Sequence, residues 1–361
     1  MNDANELISF IASMSGEGNL RVEENLGEGY VRLRVSEAER RQAKHDIQHV
    51  EDIVIEMLRN ARDAGADKVY LATNKEDGVR TLVFLDNGSG VPQDMQERIF
   101  DARVTSKLES MKMDRWGVHG RGMALFSIKQ NTDEARVVAS DVDLGSVFKV
   151  SVATDRLGER ADQSSWPQAV KDEDGRYVCA RGPHNIIRAA CEFALEELRA
   201  CDVYLGSPSE IAATLHAQAS SRLDASRLLF IDDEAELPVV DRLGLASDAE
   251  DFISICSGLG LEMSERTAHR ILAGQIKPVR GVTARLLRER DSSSHASAPV
   301  DLAKDRRGLR IAKDDMAQFS RAVERDFNDL ASRYYLNLCG DPKIRVSRDR
   351  ITVTFDLAKE E

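Results

Sequence analysis

Two polar side chains, Glu56 and Asn60, lie four positions apart within an apolar pattern that repeats with helical spacing from residue 47 to residue 61. In a helix, residues at this spacing project from the same face, one turn apart. A carboxylate and a carboxamide placed in this way could act together on a ligand. The same pair is also common on solvated helix faces, so its meaning depends on what other segments bring beside it.

A second carboxylate is expected at the end of an apolar strand. Asp86 follows the apolar residues 82–85 and precedes Asn-Gly-Ser-Gly, which ends at Gly90. The two glycines, Gly88 and Gly90, permit close approach of the backbone to a ligand. A carboxylate at a strand mouth can accept a hydrogen bond from the exocyclic amine of adenine, although these residues are also typical of a plain β-turn.

A third segment, residues 117–122, is rich in glycine and precedes a helix predicted to begin at Met123. Glycines that lead into a helix N-terminus present unpaired N–H groups and the positive end of the helix dipole, which suit phosphate oxygens. The glycine spacing differs from the dinucleotide fingerprint, and a predicted loop precedes it, so a Rossmann fold is disfavoured. Ser146 begins the last predicted strand of this region, where its hydroxyl could share a water molecule with Asp86.

The elements that must position these groups follow from the hydrophobic pattern. Helices are predicted over 47–63 and from 123 to 130, and strands over 68–73, 81–86, 135–139 and 146–153. Ser36, followed by acidic residues, predicts the N-cap of an earlier helix. Up to about residue 154, this order predicts an α+β fold with helices on one face of a mixed β-sheet.

The remainder of the chain is predicted to be mostly helical and to end in a β-hairpin. Helices are expected over 6–14, 185–200, 209–217, 247–290 and 314–338, a strand over 202–205, and a hairpin over 343–357. Five segments result: an N-terminal arm and strand (1–45), a core (46–154), a linker and α/β extension (155–245), a helical segment (246–290), and a long helix with the C-terminal hairpin (300–361).

Composition narrows the class of protein. The 361 residues include 50 Lys and Arg against 62 Asp and Glu, a net charge of −12, which argues against a generally cationic surface. The five cysteines are scattered without zinc-binding spacing and predict buried thiols in a reducing cytoplasm. No apolar run approaches the roughly 20 residues that cross a bilayer. The first residues are acidic where a signal peptide would be basic, so a cytoplasmic location without membrane contact is expected.

In order along the chain, these segments resemble the nucleotide-binding boxes of the GHKL ATPases, the superfamily of gyrase B subunits, large heat-shock chaperones, histidine kinases and MutL proteins. The first box is similar to residues 56–66 (EMLRNARDAGA), the second to 86–91 (DNGSGV) and the third to 117–124 (GVHGRGMA). Thr105, Ser106 and Lys107 are similar to the TSK of MutL-type lids. The resemblance covers residues 45–153 and implies a Bergerat-type ATP-binding fold, MutL-like or gyrase-like.

The resemblance also implies a role for individual residues. Glu56 would be the general base that activates water for attack on the γ-phosphate, and Asn60 would bind Mg²⁺ through its amide oxygen. Asp86 would bind adenine, and the glycine box would wrap the phosphates. The implied ATP-binding set is Asn60, Asp63, Asp86, Gly88, Gly90, Lys107, Gly117, Val118, His119, Gly120, Arg121, Gly122 and Ser146. Arg59 stands where relatives often carry an acid, and it could pair with Glu56 or with phosphate.

The function implied is Mg²⁺-dependent hydrolysis of ATP to ADP and phosphate, coupled to conformational switching or to formation of an ATP-dependent homodimer. Two alternatives stay open: a protein kinase of the same fold that acts on a partner protein, and a non-hydrolysing nucleotide sensor that binds DNA. The sequence does not choose which lysine, Lys171 or Lys277 among others, would reach the γ-phosphate from outside the core.

Residues 264–290 are the candidate DNA contact. They carry seven Arg and Lys against two Glu, a net charge of +5. Residues 259–264 resemble the glycine-containing turn of a helix-turn-helix, with a second helix starting at Ser264. The other interpretation of this segment is a helical scaffold with a solvated basic face.

Overall fold

The computed structural model describes residues 22–106, 112–119, 122–198, 200–223, 233–287, 313–331, 336–340, 342–346 and 351–359. The chain divides into two compact units, residues 1–292 and residues 293–361. The predicted helix over 6–14 lies outside the described residues. Among the helices of these ranges, none combines the length and apolar character needed to cross a bilayer.

Seven α-helices and twelve strands have defined bounds in the described part of the first unit. The helices are α1 (Glu37–Asp46), α2 (Val50–Asp63), α3 (Ala124–Asn131), α4 (Ile186–Glu196), α5 (Pro208–Arg222), α6 (Ala249–Gly258) and α7 (Glu265–Leu272). The strands are β1 (Val22–Gly27), β2 (Tyr30–Leu33), β3 (Lys68–Glu76), β4 (Val79–Asp86), β5 (Val104–Thr105), β6 (Lys112–Asp114), β7 (Gly117–His119), β8 (Glu134–Ser140), β9 (Ser146–Ala153), β10 (Gln168–Lys171), β11 (Tyr177–Arg181) and β12 (Asp202–Gly206). Residues 282–287 are also helical.

A five-stranded mixed sheet in the order β12-β3-β4-β9-β8 forms the centre of this unit. β12 runs parallel to β3, and the other neighbours are antiparallel. The sheet confirms the predicted α+β class and its mixed strand order. β12 comes from beyond residue 154, so the extension adds an edge strand to the sheet of the core.

Alternation along the strands divides the interior into two hydrophobic cores, one on each face of the sheet. Val69 and Leu71 of β3 face the core that contains α2, α3 and α4. Tyr70 and Ala72, which alternate with them, face the core that contains α5, α6 and α7. The helices α2 and α3 of residues 46–154 thus lie on one face, as predicted, together with α4 from the extension. The helices α5, α6 and α7 cover the other face.

The helix that carries the first candidate box begins later than predicted. Residues 47–49 are not helical, because His49 is the N-cap and the Asp52 carboxylate accepts hydrogen bonds from the backbone N–H groups of Gln48 and His49 at 2.9 and 2.8 Å. α2 ends before Gly65, which has a positive φ of 76° and so permits the chain to turn into β3. At the earlier helix α1, Ser36 is the N-cap as predicted.

Two predicted irregular stretches contain regular structure. Residues 112–119 form the antiparallel hairpin β6–β7, and residues 168–181 contain the hairpin β10–β11. Between them, Glu159 joins the predicted linker to the sheet, because its carboxylate accepts hydrogen bonds from Arg80 at 2.8 and 3.1 Å and from Lys75 at 2.9 Å. Burial alone would raise the pKa of Glu159, but these hydrogen bonds lower it below its usual value.

The second unit contains α8 (Lys313–Ala331), β13 (Leu336–Leu338), β14 (Lys343–Val346), β15 (Ile351–Thr354) and β16 (Leu357–Lys359). The predicted hairpin is present as the antiparallel pair β14–β15. The predicted helix over 314–338 is wrong at its end, because residues 336–338 pair with residues 357–359 as a strand. Helical spacing within the segment cannot reveal a partner some twenty residues further along the chain.

The cysteine prediction holds for four of the five thiols. Cys179, Cys191, Cys201 and Cys256 are buried. Burial raises the pKa of Cys256 to about 12, so this thiol stays protonated at neutral pH. Cys339 is exposed, which contradicts the prediction. It follows β13, where its backbone N–H donates to the Asp356 carbonyl at 2.8 Å and the side chain remains at the surface.

Candidate functional site

A cavity of about 470 Å³ lies where α2, the carboxyl end of β4, the start of β9 and the N-terminus of α3 meet. Seven of the residues that the sequence singles out line it: Glu56, Asn60, Asp63, Asp86, Gly90, Gly122 and Ser146. Four separate segments of the sequence are therefore brought to one site. Phe84 and Phe148 supply part of an apolar wall.

Glu56 and Asn60 project from the same face of α2 into this cavity, as their spacing predicts. The Glu56 side chain is 23% exposed, and its Oε1 accepts a hydrogen bond from Arg59 Nη1 at 2.7 Å. Arg59 is itself only 2% exposed. The sequence left two partners open for Arg59, Glu56 or phosphate, and in the structure Arg59 forms an ion pair with Glu56.

Arg59 is part of a buried cluster of charges at the base of the cavity. Its Nε donates to Asp114 Oδ2 at 3.0 Å, and Arg62 Nη1 donates to the same oxygen at 3.1 Å. Arg62 also pairs with Asp63 at 3.0 Å and with Glu197 at 3.0 Å. Burial alone would lower the pKa of Arg62, but hydrogen bonds to Glu197, Asp63 and Asp114 raise it above its usual value.

Asp86 is 4% exposed and ends β4 at the cavity. The Gly88 N–H donates to Asp86 Oδ1 at 2.8 Å, which fixes one carboxylate oxygen. Gly88 itself packs against the end of α2, where an added Cβ would lie 2.9 Å from the Ala64 Cβ. Gly90 has a φ of +71°, and a Cβ there would lie 1.8 Å from the Asp141 carbonyl oxygen. Both glycines thus permit close packing within the protein.

Ser146 lies directly opposite Asp86 in the β4–β9 register. Its Oγ is 3.2 Å from the Oγ of Ser140, and the Ser140 hydroxyl also accepts a hydrogen bond from the Val91 N–H at 2.8 Å. The sequence did not indicate Ser140, which supports both the second box and Ser146.

The N-terminus of α3 opens into the cavity. Gly122, Met123, Ala124 and Leu125 line it, and the helix begins at Ala124, one residue later than predicted. Within the described part of the chain, no side chain caps this helix. Its first N–H groups and the positive end of its dipole are therefore available to an anion.

Six members of the predicted ATP-binding set are less completely described. Lys107, Gly120 and Arg121 lie outside the described residues. Gly117, Val118 and His119 form β7, and only their backbone is described. The glycine box is thus a strand at its start, where the sequence predicted a loop.

Several cavity residues come from segments to which the sequence gave no role. Arg103 is 5% exposed and has a φ of +63°, and its guanidinium forms an ion pair with Glu39 of α1. The Arg103 N–H donates to the Gly122 carbonyl at 2.8 Å, which ties this residue to the start of α3. Tyr30 also lines the cavity, and burial raises the pKa of its hydroxyl. The Ser36 cap predicts α1 but cannot predict that α1 borders the site.

Comparison with known proteins agrees with this geometry. Residues 47–140 match the family model described as histidine kinase-, DNA gyrase B-, and HSP90-like ATPase. The chain is also similar to DNA mismatch repair protein MutL of Staphylococcus aureus, in strains Newman, JH1 and COL. Identity is 28% over 136 residues, which cover 35% of this chain and 20% of each relative. The chain thus spans about a fifth of the length of the curated relatives it matches.

The mixed sheet, the helix of the first box and the matched segment together define an ATP-binding domain of the α+β class. Residues 47–140 belong to the GHKL superfamily by this match, and the chain is similar to MutL over a segment of 136 residues. ATP binding and hydrolysis are properties of this family.

Proposed function

We propose that this chain binds ATP with Mg²⁺ in the cavity and hydrolyses it to ADP and phosphate. The observation that carries the proposal is the convergence of Glu56 and Asn60 of α2, Asp86 of β4 and the N-terminus of α3 on one cavity. Each of these groups suits a different part of the nucleotide.

Two groups of opposite electrostatic character line the cavity, the Asp86 carboxylate and the N-terminus of α3. The Asp86 carboxylate accepts a hydrogen bond from the exocyclic amine of adenine, and its low exposure strengthens this contact. The N–H groups at the start of α3 donate hydrogen bonds to phosphate oxygens. Phe84 and Phe148 also line the cavity and offer an apolar surface to the adenine ring. ATP is therefore oriented with its γ-phosphate toward the α2 face that carries Glu56.

The donor set at this face fits Mg²⁺. Among the described residues, no group of three or more His, Cys, Asp or Glu is placed to hold a metal. Mg²⁺ usually keeps several waters and takes one or two protein oxygens together with substrate phosphates. Asn60 would hold the ion through its amide oxygen. When bound, the ion would neutralise charge on the β- and γ-phosphates.

Glu56 acts as the general base. Its carboxylate takes a proton from a water molecule as the water oxygen forms a bond to the γ-phosphorus. The bond from that phosphorus to the bridging oxygen breaks, and its electron pair leaves with ADP. Arg59 holds Oε1 of Glu56 at 2.7 Å and thereby fixes the orientation of the carboxylate.

Phosphate release by the wild type, Glu56→Gln and Asp86→Ala tests the proposal. We expect Glu56→Gln to bind ATP but to release no phosphate. We expect Asp86→Ala to lose ATP binding. Equal release by wild type and Glu56→Gln would remove the hydrolase function. Transfer of labelled phosphate to a protein without release of free phosphate would favour the kinase alternative.

We further propose that ATP binding drives homodimer formation. Light scattering of the full chain with and without a non-hydrolysable ATP analogue and Mg²⁺ tests this. We expect the molecular mass to double with the analogue in the wild type but not in Asp86→Ala. An unchanged mass in the wild type would exclude an ATP-dependent dimer.

DNA contact through residues 264–290 is a third proposal, and the described part of that segment supports it. α6 and α7 form a helix pair joined by residues 259–264, and α7 exposes Arg266, His269 and Arg270 around the buried Ala268 and Ile271. The test measures binding of duplex DNA at several salt concentrations, for the wild type and for Arg266→Ala/Arg270→Ala. A flatter salt dependence in the variant is expected if these side chains contact phosphates.

A further inference from the structure

The hairpin β6–β7 is held against the nucleotide site by three consecutive side chains. Asp114 accepts hydrogen bonds from Arg59 and Arg62 of α2. Arg115 forms an ion pair with Glu192 of α4 at 3.4 Å. Trp116 stacks on Phe193 of α4, with ring centroids 6.3 Å apart, and also lines the cavity. The hairpin therefore bridges the helix of the first box and a helix that lies outside residues 47–140.

Asp114 and Glu56 are linked through one side chain. Arg59 Nη1 donates to Glu56 Oε1 and Arg59 Nε donates to Asp114 Oδ2, at 2.7 and 3.0 Å. Because a guanidinium is planar and rigid, two of its donors hold two carboxylates in a fixed relative geometry. The carboxyl group of Asp114 is 8% exposed and Arg59 is 2% exposed, so solvent screens these contacts weakly.

We propose that Arg59 is a positioning residue for Glu56 and that, through Asp114, it couples the orientation of the Glu56 carboxylate to docking of the β6–β7 hairpin. The kinetic part of this inference rests on the proposed function, in which Glu56 activates water. When the hairpin is docked, Asp114 holds Arg59 and Arg59 holds Glu56. When the hairpin moves away, Arg59 loses its contact with Asp114, and Glu56 loses its fixed orientation.

A kinetic test separates positioning from simple packing. Arg59→Met retains an unbranched side chain of similar length but removes the charge, whereas Arg59→Lys retains the charge. A misplaced general base costs rate and not substrate affinity, so we expect kcat to fall roughly 10- to 100-fold in Arg59→Met while KM for ATP changes little. Arg59→Lys should recover part of the loss. The matched control is Arg156→Met, which breaks an exposed ion pair with Asp133.

A spectroscopic test does not depend on hydrolysis. The chain has two tryptophans, Trp116 on the hairpin and Trp166, so a Trp166→Phe background leaves Trp116 as the only indole. We expect Arg59→Met and Asp114→Asn to increase quenching of Trp116 by acrylamide, and Arg156→Met to leave it unchanged. Asp114→Asn is isosteric and provides the second variant if Arg59→Met does not fold.

The outcomes are distinct. Wild-type kcat in Arg59→Met, or equal values in Arg59→Met and Arg59→Lys, would overturn the positioning role. Unchanged Trp116 quenching in both variants would overturn the coupling to the hairpin. If Glu56→Gln releases phosphate as fast as the wild type, the proposed function fails, and the quenching measurement alone then decides whether Arg59 holds the hairpin.

Discussion

Replacement of Asp86 by asparagine tests the adenine contact at the level of a single atom. Asp86→Asn keeps the oxygen that accepts the Gly88 N–H at 2.8 Å, so the loop of the second box should stay in place. It replaces the other carboxylate oxygen with an amide NH₂, which is a donor, and removes the negative charge. A hydrogen bond to a charged group contributes about 1.5–3 kcal/mol, which corresponds to an ATP affinity roughly 10- to 150-fold weaker.

The assay is titration calorimetry of the wild type and Asp86→Asn with non-hydrolysable analogues of ATP and GTP. Guanine carries a carbonyl oxygen where adenine carries the amine, so the wild-type carboxylate repels it and the variant amide can donate to it. The ratio of GTP to ATP affinity should therefore rise in the variant. An unchanged ratio, with both affinities reduced equally, would refute the assignment of Asp86 to the base and indicate a purely structural role.

Three further predictions concern stability and reactivity. Gly90→Ala should lower the free energy of unfolding by at least about 1–3 kcal/mol in urea titration, because Gly90 combines a positive φ with contact to Asp141, whereas Gly65→Ala, which has open space around it, should cost less. The pKa of Glu159 is lowered in the folded state, so the stability that it contributes is present at neutral pH and is lost as the pH falls through its folded pKa; the stability difference between wild type and Glu159→Gln should therefore shrink on acidification. Cys339 is the exposed thiol and should react first with an aromatic disulfide at pH 8, while the four buried thiols should react only after unfolding; equal rates for all five would contradict their burial.

The sequence predicts those parts of the site in which local spacing determines geometry. Glu56 and Asn60 share a helix face because four residues make about one turn, and Asp86 ends a strand because an apolar run stops there. The glycine-rich approach to α3 likewise predicts an uncapped helix N-terminus. These relations need no knowledge of the tertiary fold.

Other parts of the site depend on pairing between distant segments, which periodicity does not encode. Arg103 reaches the cavity because its backbone bonds to Gly122 and its side chain pairs with Glu39 of α1. Asp114 reaches Arg59 only because residues 112–119 fold as a hairpin, whereas the glycines nearby predict a loop. The core that contains α5, α6 and α7 also depends on distant pairing. The spacing of apolar residues in 208–272 does not show which face of the sheet these helices cover.

The buried charge of Arg59 links the core (46–154) to the extension (155–245). Arg59 adds positive charge to the buried face of α2, and Arg62 adds a second. Burial of two cations is tolerable only when carboxylates surround them. Glu56 and Asp63 come from α2 itself, but Asp114 comes from the hairpin and Glu197 from the end of α4. The carboxylates that compensate the burial of Arg59 and Arg62 are therefore the same ones that attach the hairpin and α4 to α2. A change in hairpin position consequently alters the electrostatics around Glu56.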